Sequence, residues 1–317
     1  MDRNLALEMV RATEAAALAA ARWMGRGNAQ AADRAAVEAM HHAFNSIAFK
    51  GNIILGEGDR ERFPMLYTGQ RVGCGTSDEV DVAVDALECT NSVAFGRTNA
   101  LAVVAMAPQG DFLKPPVSYL EKIAVGPEAA SVIDLSAPIE ENLERIANAK
   151  KYGASDLTVV ILDRPRHEEL IARVRDTGAR IHLIPDGDVA AAVATSTPGT
   201  GIDVLVGTGG SVAGVLAAAA LRCLGGEMQA RLSPLGDEAE RLKGTEYEDL
   251  SRLYRASDLA QGDHVMFAAT GVTDGDMLNG VRYRADGATT HSVVMRQSTR
   301  TKRYIVTEHF FDYNPEY

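Results

Sequence analysis

The chain has 317 residues, which is enough for one large domain or two medium-sized domains that each bury a core. Hydrophobic residues make up 46% and charged residues 24%, a composition typical of a folded globular protein that argues against disorder. The net charge of −11 argues against a general nucleic-acid or anionic-membrane binder and is compatible with a divalent-metal enzyme.

The cysteine pattern and the N-terminus predict a cytoplasmic protein. Cys74, Cys89 and Cys223 form no paired framework, which indicates a reducing compartment. The first ten residues carry acids within an apolar stretch and do not resemble a signal peptide. The longest apolar region, Val204–Leu224, is rich in glycine and interrupted by Arg222, which favours a buried strand, turn and helix over a membrane span.

The first half of the chain predicts helices followed by strands. Apolar residues at helical spacing predict helices over Leu5–Met24 and Ala32–Phe49. A further helix is expected from Pro138 to about Tyr152. Short β-rich runs predict strands over Asn52–Leu55, Val80–Val84 and Leu101–Met106.

Strands and helices then alternate, which predicts βαβ units and a parallel sheet. The predicted strands are Leu157–Leu162, Arg180–Pro185 and Ile202–Val206, and the helices between and after them are His167–Asp176, Val189–Thr195 and Val212–Leu224. Ligands of such sheets bind beyond the carboxyl ends of the strands, where we expect the turns Asp186–Asp188 and Gly207–Gly210.

The last part of the chain predicts a change to antiparallel structure. Residues 225–262 are helical in composition and weakly patterned. The runs Val265–Ala269, Ser292–Arg296 and Arg303–Thr307 predict antiparallel strands.

Four acids stand at predicted turns or helix starts: Asp33, Glu57, Asp85 and Glu88. Each acid alone is explained by helix capping or by exposure to solvent, and Asp33 by the dipole of a helix's first turn. Asp85 and Glu88, however, follow a buried strand, where unpaired charge is costly and a hard cation is a natural partner. Thr90 follows at a predicted helix start, where free N–H groups can bind phosphate.

The segment Asp85–Thr90 (Asp-Ala-Leu-Glu-Cys-Thr) resembles the Asp-Pro-Ile-Glu-Gly-Thr box of class II fructose-1,6-bisphosphatases. That box is a variant of the metal motif of the lithium-sensitive phosphatase superfamily. Further segments resemble the same family in the same order along nearly the whole chain, with residues 231–255 the least similar. These segments are Arg26-Gly27, Ala32-Asp33, Leu55–Gly58, Pro64–Tyr67, Asn99–Val103, Pro165–His167, Ile184–Ala190, Ala269–Thr273 and Ser298–Thr301.

The resemblance implies a metal-dependent sugar-bisphosphate phosphatase. The metal ligands, for Mg²⁺ or Mn²⁺, would be Asp33, Glu57, Asp85, Glu88 and the backbone carbonyl of Leu87. Glu61 and Thr90 would orient the attacking water or transfer its proton. The distal phosphate and the sugar would be held by Tyr119, Arg164, Arg166, Asp186, Asp188 and Gly210. Without the resemblance, the two arginines are explained equally well by a solvated loop, and Tyr119 by packing.

The fold class implied is α/β: a layered α/β sandwich of the sugar-phosphatase type, with a mixed sheet and a mostly parallel βαβ sub-domain. We expect a metal-binding sub-domain over 1–155, a sugar-phosphate sub-domain over 156–280, and C-terminal strands over 281–317 that return to the core. The family also implies a homo-oligomer, a dimer or a tetramer.

The sequence departs from the family at the end of the site that handles the metals and the 1-phosphate. Ala213 replaces a metal-binding glutamate and Ala29 a lysine. Glu61 stands for an aspartate, within a rewritten segment 59–63, and Cys89 for a glycine. Losing one carboxylate from a two-metal site weakens the hold on at least one metal ion, because hard cations are bound by ligand charge and number.

These departures leave alternatives open. One is a catalytically impaired relative that acts as a regulatory protein by binding sugar phosphates. Another is a phosphatase for a different sugar phosphate, such as sedoheptulose 1,7-bisphosphate. A dinucleotide enzyme is disfavoured, because Val212 occupies the last glycine position of the G-x-G-x-x-G pattern. His41-His42 lacks a histidine one helical turn away and does not predict a zinc site.

Overall fold

A computed structural model describes residues 4–58, 60–61, 64–75 and 79–312. The chain forms two compact units. Unit 1 comprises Met1–Phe112 and Gly262–Tyr317, and unit 2 comprises Leu113–Gln261. The sequence-based boundary at 155/156 lies inside unit 2, and the one at 280/281 lies inside unit 1. The reason is strand pairing, since the segments on both sides of each predicted boundary contribute strands to one sheet.

The helices and strands of the described residues are as follows. The helices are α1 (Leu5–Ala21), α2 (Ala29–Ser46), α3 (Thr90–Ala94), α4 (Ile139–Lys150), α5 (Glu168–Asp176), α6 (Asp188–Thr195), α7 (Ser211–Leu224), α8 (Glu238–Leu242) and α9 (Ala256–Leu259). The strands are β1 (Lys50–Leu55), β2 (Arg71–Val72), β3 (Glu79–Glu88), β4 (Leu101–Pro108), β5 (Tyr119–Val125), β6 (Thr158–Leu162), β7 (Arg180–Ile184), β8 (Val204–Gly210), β9 (Glu227–Ser233), β10 (Tyr254–Arg255), β11 (Met266–Gly271), β12 (Arg282–Arg284), β13 (Gly287–Arg296) and β14 (Thr301–Phe310).

Unit 1 is built on a mixed sheet of order β12-β13-β11-β4-β3-β1-β2, with β14 paired to β13. Strands β1 and β3 run parallel, and the other pairs are antiparallel. The buried faces of α1 and α2 share one core with the sheet, which includes Met9, Phe44, Val82, Val104 and Met266. The predicted helices and antiparallel strands of this unit are confirmed, with shifts of a few residues at their ends.

Hydroxyl groups join α1 to the sheet inside the core of unit 1. The Thr13 Oγ1 atom lies 2.7 Å from Thr270 Oγ1, which lies 2.8 Å from Ser292 Oγ. All three side chains are buried. Buried hydroxyls are costly unless they are hydrogen-bonded, so this chain of contacts specifies how α1 sits on β11 and β13.

Unit 2 contains a sheet of order β10-β9-β5-β8-β6-β7. Strand β6 runs parallel to β7 and β8, while the pairs β5–β8, β5–β9 and β9–β10 are antiparallel. The predicted alternation of strands and helices is confirmed from β6 to α7, and the sheet as a whole is mixed.

Three strands of unit 2 were not expected from the sequence: β5, β9 and the two-residue strand β10. Strand β5 carries Glu121 and Lys122 in the middle of an apolar run, and β9 lies in the segment whose composition indicated helix. In β9, Gln229 is buried and Arg231 binds Glu121 with a distance of 2.7 Å from Nε to Oε2. Polar residues that bind partners in the folded state hide the strand periodicity, because the pattern alone assigns them to solvent.

None of the helices in the described ranges is both long and apolar enough to cross a membrane.

The glycine-rich segment Gly207–Gly210 was expected to form a turn. It belongs instead to strand β8, and α7 begins at the next residue.

The hydrogen-bonded hydroxyls of Thr13, Thr270 and Ser292 form a chain that we call the hydroxyl chain. We expect Thr270→Val to lower the free energy of unfolding by about 1–3 kcal/mol, because Thr13 and Ser292 lose a buried partner. Urea unfolding would measure the change. Thr307→Val, on the half-buried face of β14, serves as the matched control and should change the free energy of unfolding by less than about 0.5 kcal/mol. Equal effects of the two substitutions would contradict the assigned role of the hydroxyl chain.

Candidate active site

Asp33 lies in the second turn of helix α2. The helix begins at Ala29, and the Asn28 side chain accepts a hydrogen bond of 3.0 Å from the Ala31 N–H. The first turn therefore contains a neutral cap and no acid, so the helix dipole does not account for Asp33. Asp33 is half-buried, and burial raises the pKa of its carboxyl group.

Glu57 sits on a tight turn directly after β1. A side chain at Gly56 would meet the Leu66 carbonyl oxygen at 2.1 Å, so only glycine fits there. The Glu57 N–H donates to that same oxygen at 3.0 Å, which fixes the turn against the following segment. The Ala86 N–H donates to Glu57 Oε1 at 3.1 Å, which directs the carboxylate toward strand β3.

The pairing of β3 with β4 is irregular between Asp85 and Glu88. Asp85 lies opposite Val103, and Glu88 lies opposite Leu101, so β3 contains one extra residue in this stretch. In a regular strand, residues three positions apart point to opposite faces. The extra residue restores the parity, so Asp85 and Glu88 share the face of Val103 and Leu101.

Strand β3 is longer than predicted, because Asp85 and Glu88 lie within it rather than after it. Asp85 is half-buried and Glu88 is buried. Leu87, whose carbonyl was predicted as a metal ligand, lies in the irregular stretch, where regular ladder pairing is interrupted.

Cys89 links β3 to α3 in a left-handed conformation, with φ of 69°. Glycine adopts this conformation without steric cost, which explains the glycine that the resembling family has at this position. Thr90 is the first residue of α3, as predicted. The loop before α2 is attached to this short helix, since the N–H groups of Gly25 and Gly27 donate to the carbonyls of Val93 and Ala94, both at 2.9 Å.

The carboxylates of Asp33, Glu57 and Asp85 share one electrostatic environment. Burial raises the pKa of Glu57 to about 8, with further contributions from the charges of Asp85 and Asp33, while the bond from Ala86 opposes the shift. Within the described ranges, no group of three or more His, Cys, Asp or Glu side chains is already close enough to hold a metal ion. The oxygen donors and their mutual repulsion nevertheless fit the chemistry of a hard divalent cation.

The remaining predicted residue of unit 1 is Glu61. It lies in an exposed turn, and Asp59, Arg62 and Phe63 of the same segment are outside the described residues. Its predicted role in proton transfer stays a prediction. Of the two alanines that depart from the family, Ala29 is the first residue of α2 and Ala213 is a half-buried residue in the first turn of α7.

Tyr119, Arg166 and Gly210 lie together in unit 2. Tyr119 begins β5 and is paired with Gly210, the last residue of β8. The Arg166 guanidinium lies 5.2 Å from the centre of the Tyr119 ring. Its Nε and Nη2 atoms donate to the Thr208 carbonyl at 3.1 and 2.7 Å, so the arginine is held in place by two bonds.

His167 fixes the arginine segment to β8. Its Nε2 atom accepts a hydrogen bond of 2.8 Å from the Thr208 N–H, so its Nδ1–H donates to the Leu162 carbonyl at 2.8 Å. The ring is therefore neutral, and burial lowers its pKa. This positioning histidine belongs to the quoted Pro165–His167 motif, but the sequence did not indicate its role.

Asp186 and Asp188 have different surroundings in the turn before α6. Asp186 is half-buried, and burial raises its pKa, while the positive charge of Arg164 opposes that shift. Asp188 is buried and forms an ion pair with Lys122, with 2.5 Å between Oδ2 and Nζ. Lys122 was not singled out from the sequence. A lysine inside the apolar run of β5 was the available signal.

Two glycines of β8 make room for these groups. A side chain at Gly207, whose φ is +132°, would meet His167 Nε2 at 2.9 Å. One at Gly209 would meet Asp188 Oδ2 at 1.7 Å and Lys122 Nζ at 2.7 Å. Side-chain packing thus requires glycine at these two positions. The resemblance of the segment to a phosphate-binding turn is therefore explained without a bound nucleotide.

The raised pKa of Glu57 predicts a pH-dependent stability in the absence of metal ions. The unfolded chain releases this proton near the ordinary value of 4.5, whereas the folded protein keeps it up to about 8. The free energy of unfolding therefore falls as the pH rises through this window. Glu57→Gln, which cannot lose a proton, should be more stable than the wild type by a margin that grows from pH 5 to pH 8.

Thermal unfolding in chelator at pH 5, 6.5 and 8 would measure this margin. Glu61→Gln removes the same charge at an exposed position and controls for the change in net charge. A constant difference between Glu57→Gln and the wild type across the three pH values would contradict the prediction.

Comparison with known proteins identifies the family. A family model described as bacterial fructose-1,6-bisphosphatase, glpX-encoded, matches residues 3–309. A D-fructose 1,6-bisphosphatase class 2/sedoheptulose 1,7-bisphosphatase of Synechococcus sp. (strain JA-3-3Ab) is 42% identical over 337 aligned residues, which cover 98% of this chain and 97% of the relative. The fructose-1,6-bisphosphatase 1 class 2 of Escherichia coli (strain K12) is 43% identical over 325 residues, with the same coverage. The chain therefore belongs to the class 2 fructose-1,6-bisphosphatase family.

Proposed function

We propose that this protein hydrolyses the 1-phosphate of a sugar bisphosphate, either fructose 1,6-bisphosphate or a close analogue such as sedoheptulose 1,7-bisphosphate. The observation that carries the proposal is the placement of Glu57, whose carboxylate is directed toward β3 by the Ala86 N–H and whose pKa is raised to about 8 by burial and by the charges of Asp85 and Asp33. The names of the relatives support both the reaction and this choice of substrates.

Phosphatases of this family depend on metal ions. We propose that Asp33, Glu57, Asp85, Glu88 and the Leu87 carbonyl hold Mg²⁺ or Mn²⁺. Bound there, a divalent cation neutralises phosphate charge and lowers the pKa of water. These ligands fit the ion because neighbouring carboxylates that are partly shielded from water destabilise the fold unless a cation compensates their charge.

The protein's own groups supply orientation and proton transfer. Thr90, at the start of α3, offers a hydroxyl beside the bulge that carries Asp85 and Glu88. We assign it the role of orienting the attacking water. Glu61 would accept the proton of that water at a carboxylate oxygen, in an exposed turn that follows Glu57 closely.

Unit 2 would hold the distal phosphate and the sugar. Arg166 is fixed by Thr208 and by the ring of Tyr119, and Arg164 lies beside Asp186. Guanidinium groups bind phosphate oxygens in pairs, so these two arginines suit the distal phosphate. Carboxylates accept hydrogen bonds from hydroxyl groups, and Asp186, the more accessible acid of its turn, suits the sugar.

An enzyme is favoured over a non-catalytic binder of sugar phosphates. A binding protein has no use for mutually repelling carboxylates that cost stability, and perturbed acids of this kind cluster at catalytic sites. The relatives of nearly equal length carry the names of enzymes. The cytoplasmic location and the homo-oligomeric state stay predictions of the sequence.

Phosphate release by the purified protein with Mn²⁺ or Mg²⁺, measured over a panel headed by fructose 1,6-bisphosphate and sedoheptulose 1,7-bisphosphate, tests the proposal. Asp85→Asn should lower turnover by about 100-fold or more, because it removes a charged ligand from the metal site. Asp176→Asn, at an exposed helix end, is the matched control. Unchanged turnover in Asp85→Asn would refute the metal assignment.

Ala213 allows a test by gain of function. Ala213→Glu restores the carboxylate that the family pattern carries at this position, and it should lower the metal concentration needed for half-maximal activity by about 10-fold. Ala213→Gln has the same length without the charge and should leave the activation curve near that of the wild type. Identical curves for Ala213→Glu and Ala213→Gln would show that position 213 no longer contributes to metal binding.

A further inference from the structure

Lys122 is an unusual residue for the centre of a strand. It lies in the middle of β5, between β8 and β9, and its side chain is 2% exposed. A buried ammonium group is tolerated only when its charge is compensated. Asp188 provides that compensation, with 2.5 Å between the two charged atoms and 5% exposure of the acid's side chain.

The ion pair binds one end of the Asp186–Asp188 turn to the interior. Asp188 is the first residue of α6, and Gly187 before it has a φ of 101°. The two acids on either side of Gly187 differ in burial, since Asp186 is half-buried beside Arg164 and Asp188 is buried against Lys122. Fixing Asp188 restricts where the carboxylate of Asp186 can lie.

The surroundings are shaped around this pair. Gly209 of β8 leaves no room for a side chain, because a Cβ atom there would overlap both Asp188 Oδ2 and Lys122 Nζ. Among the residues that the structure describes, no donor hydrogen-bonds the second oxygen of Asp188, Oδ1, which is also buried. Lys122 is thus the partner that holds this carboxylate inside.

Lys122 also lies on the same strand as Tyr119, which faces Arg166. Arg166 and Lys122 both act on the electrostatic environment of His167, as does Asp188. The ammonium group is therefore paired with Asp188 and lies on the strand that carries Tyr119, two residues of unit 2 that were assigned to the ligand.

We propose that Lys122 is a positioning residue for sugar-phosphate binding, whose ion pair with Asp188 fixes the turn that presents Asp186 to the ligand. This inference rests on the proposed function, because it assumes that Asp186 contacts the sugar phosphate. It also revises the role expected for Asp188, whose buried carboxylate acts on the turn through Lys122.

A second buried ion pair in unit 2 offers a matched control. Lys150, at the end of α4, lies 2.6 Å from Asp203, with 14% and 8% exposure of the two side chains. It is remote in sequence from each residue assigned to the ligand. Breaking this pair reports what a lost buried ion pair does to the fold alone.

The test compares Lys122→Met with Lys150→Met in the full chain. Both substitutions should lower the melting temperature, because each leaves a buried carboxylate without its counter-ion. Only Lys122→Met should raise the KM for fructose 1,6-bisphosphate, by about 10-fold, with kcat changed by less than about 3-fold, since a displaced charged hydrogen-bond acceptor weakens binding. An equal KM effect in both variants, or none in Lys122→Met, would overturn the proposal.

The double variant Lys122→Met/Asp188→Asn separates positioning from stability. Its amide needs no counter-ion, so the melting temperature should recover toward that of the wild type while KM stays raised. Recovery of KM together with stability would reduce Lys122 to a structural role. If Lys122→Met alone does not fold, the double variant still gives this answer.

Asp186→Asn distinguishes a failure of this inference from a failure of the proposed function. Titration calorimetry with fructose 6-phosphate measures the sugar-phosphate site without catalysis. Weaker binding in both Asp186→Asn and Lys122→Met supports the proposal. Weaker binding in Asp186→Asn alone overturns the role of Lys122 only, whereas a wild type that neither binds this ligand nor hydrolyses the bisphosphate overturns both.

Discussion

Carboxylates repel one another when they are buried together, and the candidate metal site of unit 1 depends on overcoming that repulsion. At Glu57, burial raises the pKa to about 8, and the charges of Asp85 and Asp33 add to that rise. The backbone supplies what holds the acids in place. Strand β1 loses its register with β3 near Leu55, β3 loses its register with β4 after Asp85, and the Gly56 turn is fixed by hydrogen bonds. This arrangement of acids lowers the stability of the fold, and a bound cation would offset that loss by compensating their charge.

In unit 2, by contrast, the acids lie beside positive charges and the histidine has hydrogen-bond partners. Lys122 compensates Asp188, Arg164 lies beside Asp186, and His167 is held neutral by its two hydrogen bonds. For the ligand site proposed in unit 2, this would mean that the side chains are ordered before the ligand arrives, so that binding does not have to order them. Burial and the neighbouring acids of unit 1 thus raise the pKa of Glu57, whereas Asp188 and His167 of unit 2 already have their partners.

The sequence predicted the local elements of both sets better than their pairing. The start of a helix at Thr90 and the order of β6 to α7 could be predicted, because they depend on short-range sequence patterns. The bulge that places Asp85 and Glu88 on one face could not, because it is a relation between two strands. Strand β5 was missed for a related reason, since the burial of Lys122 depends on its ion pair with Asp188, which lies in a distant part of the sequence.

The departures from the family differ in their physical consequences. Cys89 adopts a φ of 69°, so the conformation that glycine would provide is kept, and with it the path from β3 into α3. Ala213 also keeps the backbone, as it lies in the regular first turn of α7, but it removes a charge that the conformation cannot replace. Cys89 and Ala213 therefore both keep the backbone, and only Ala213 removes a charge that the family pattern carries. Under the proposed function, such a change would weaken the binding of a metal ion while leaving Asp33, Glu57, Asp85 and Glu88 in the chain.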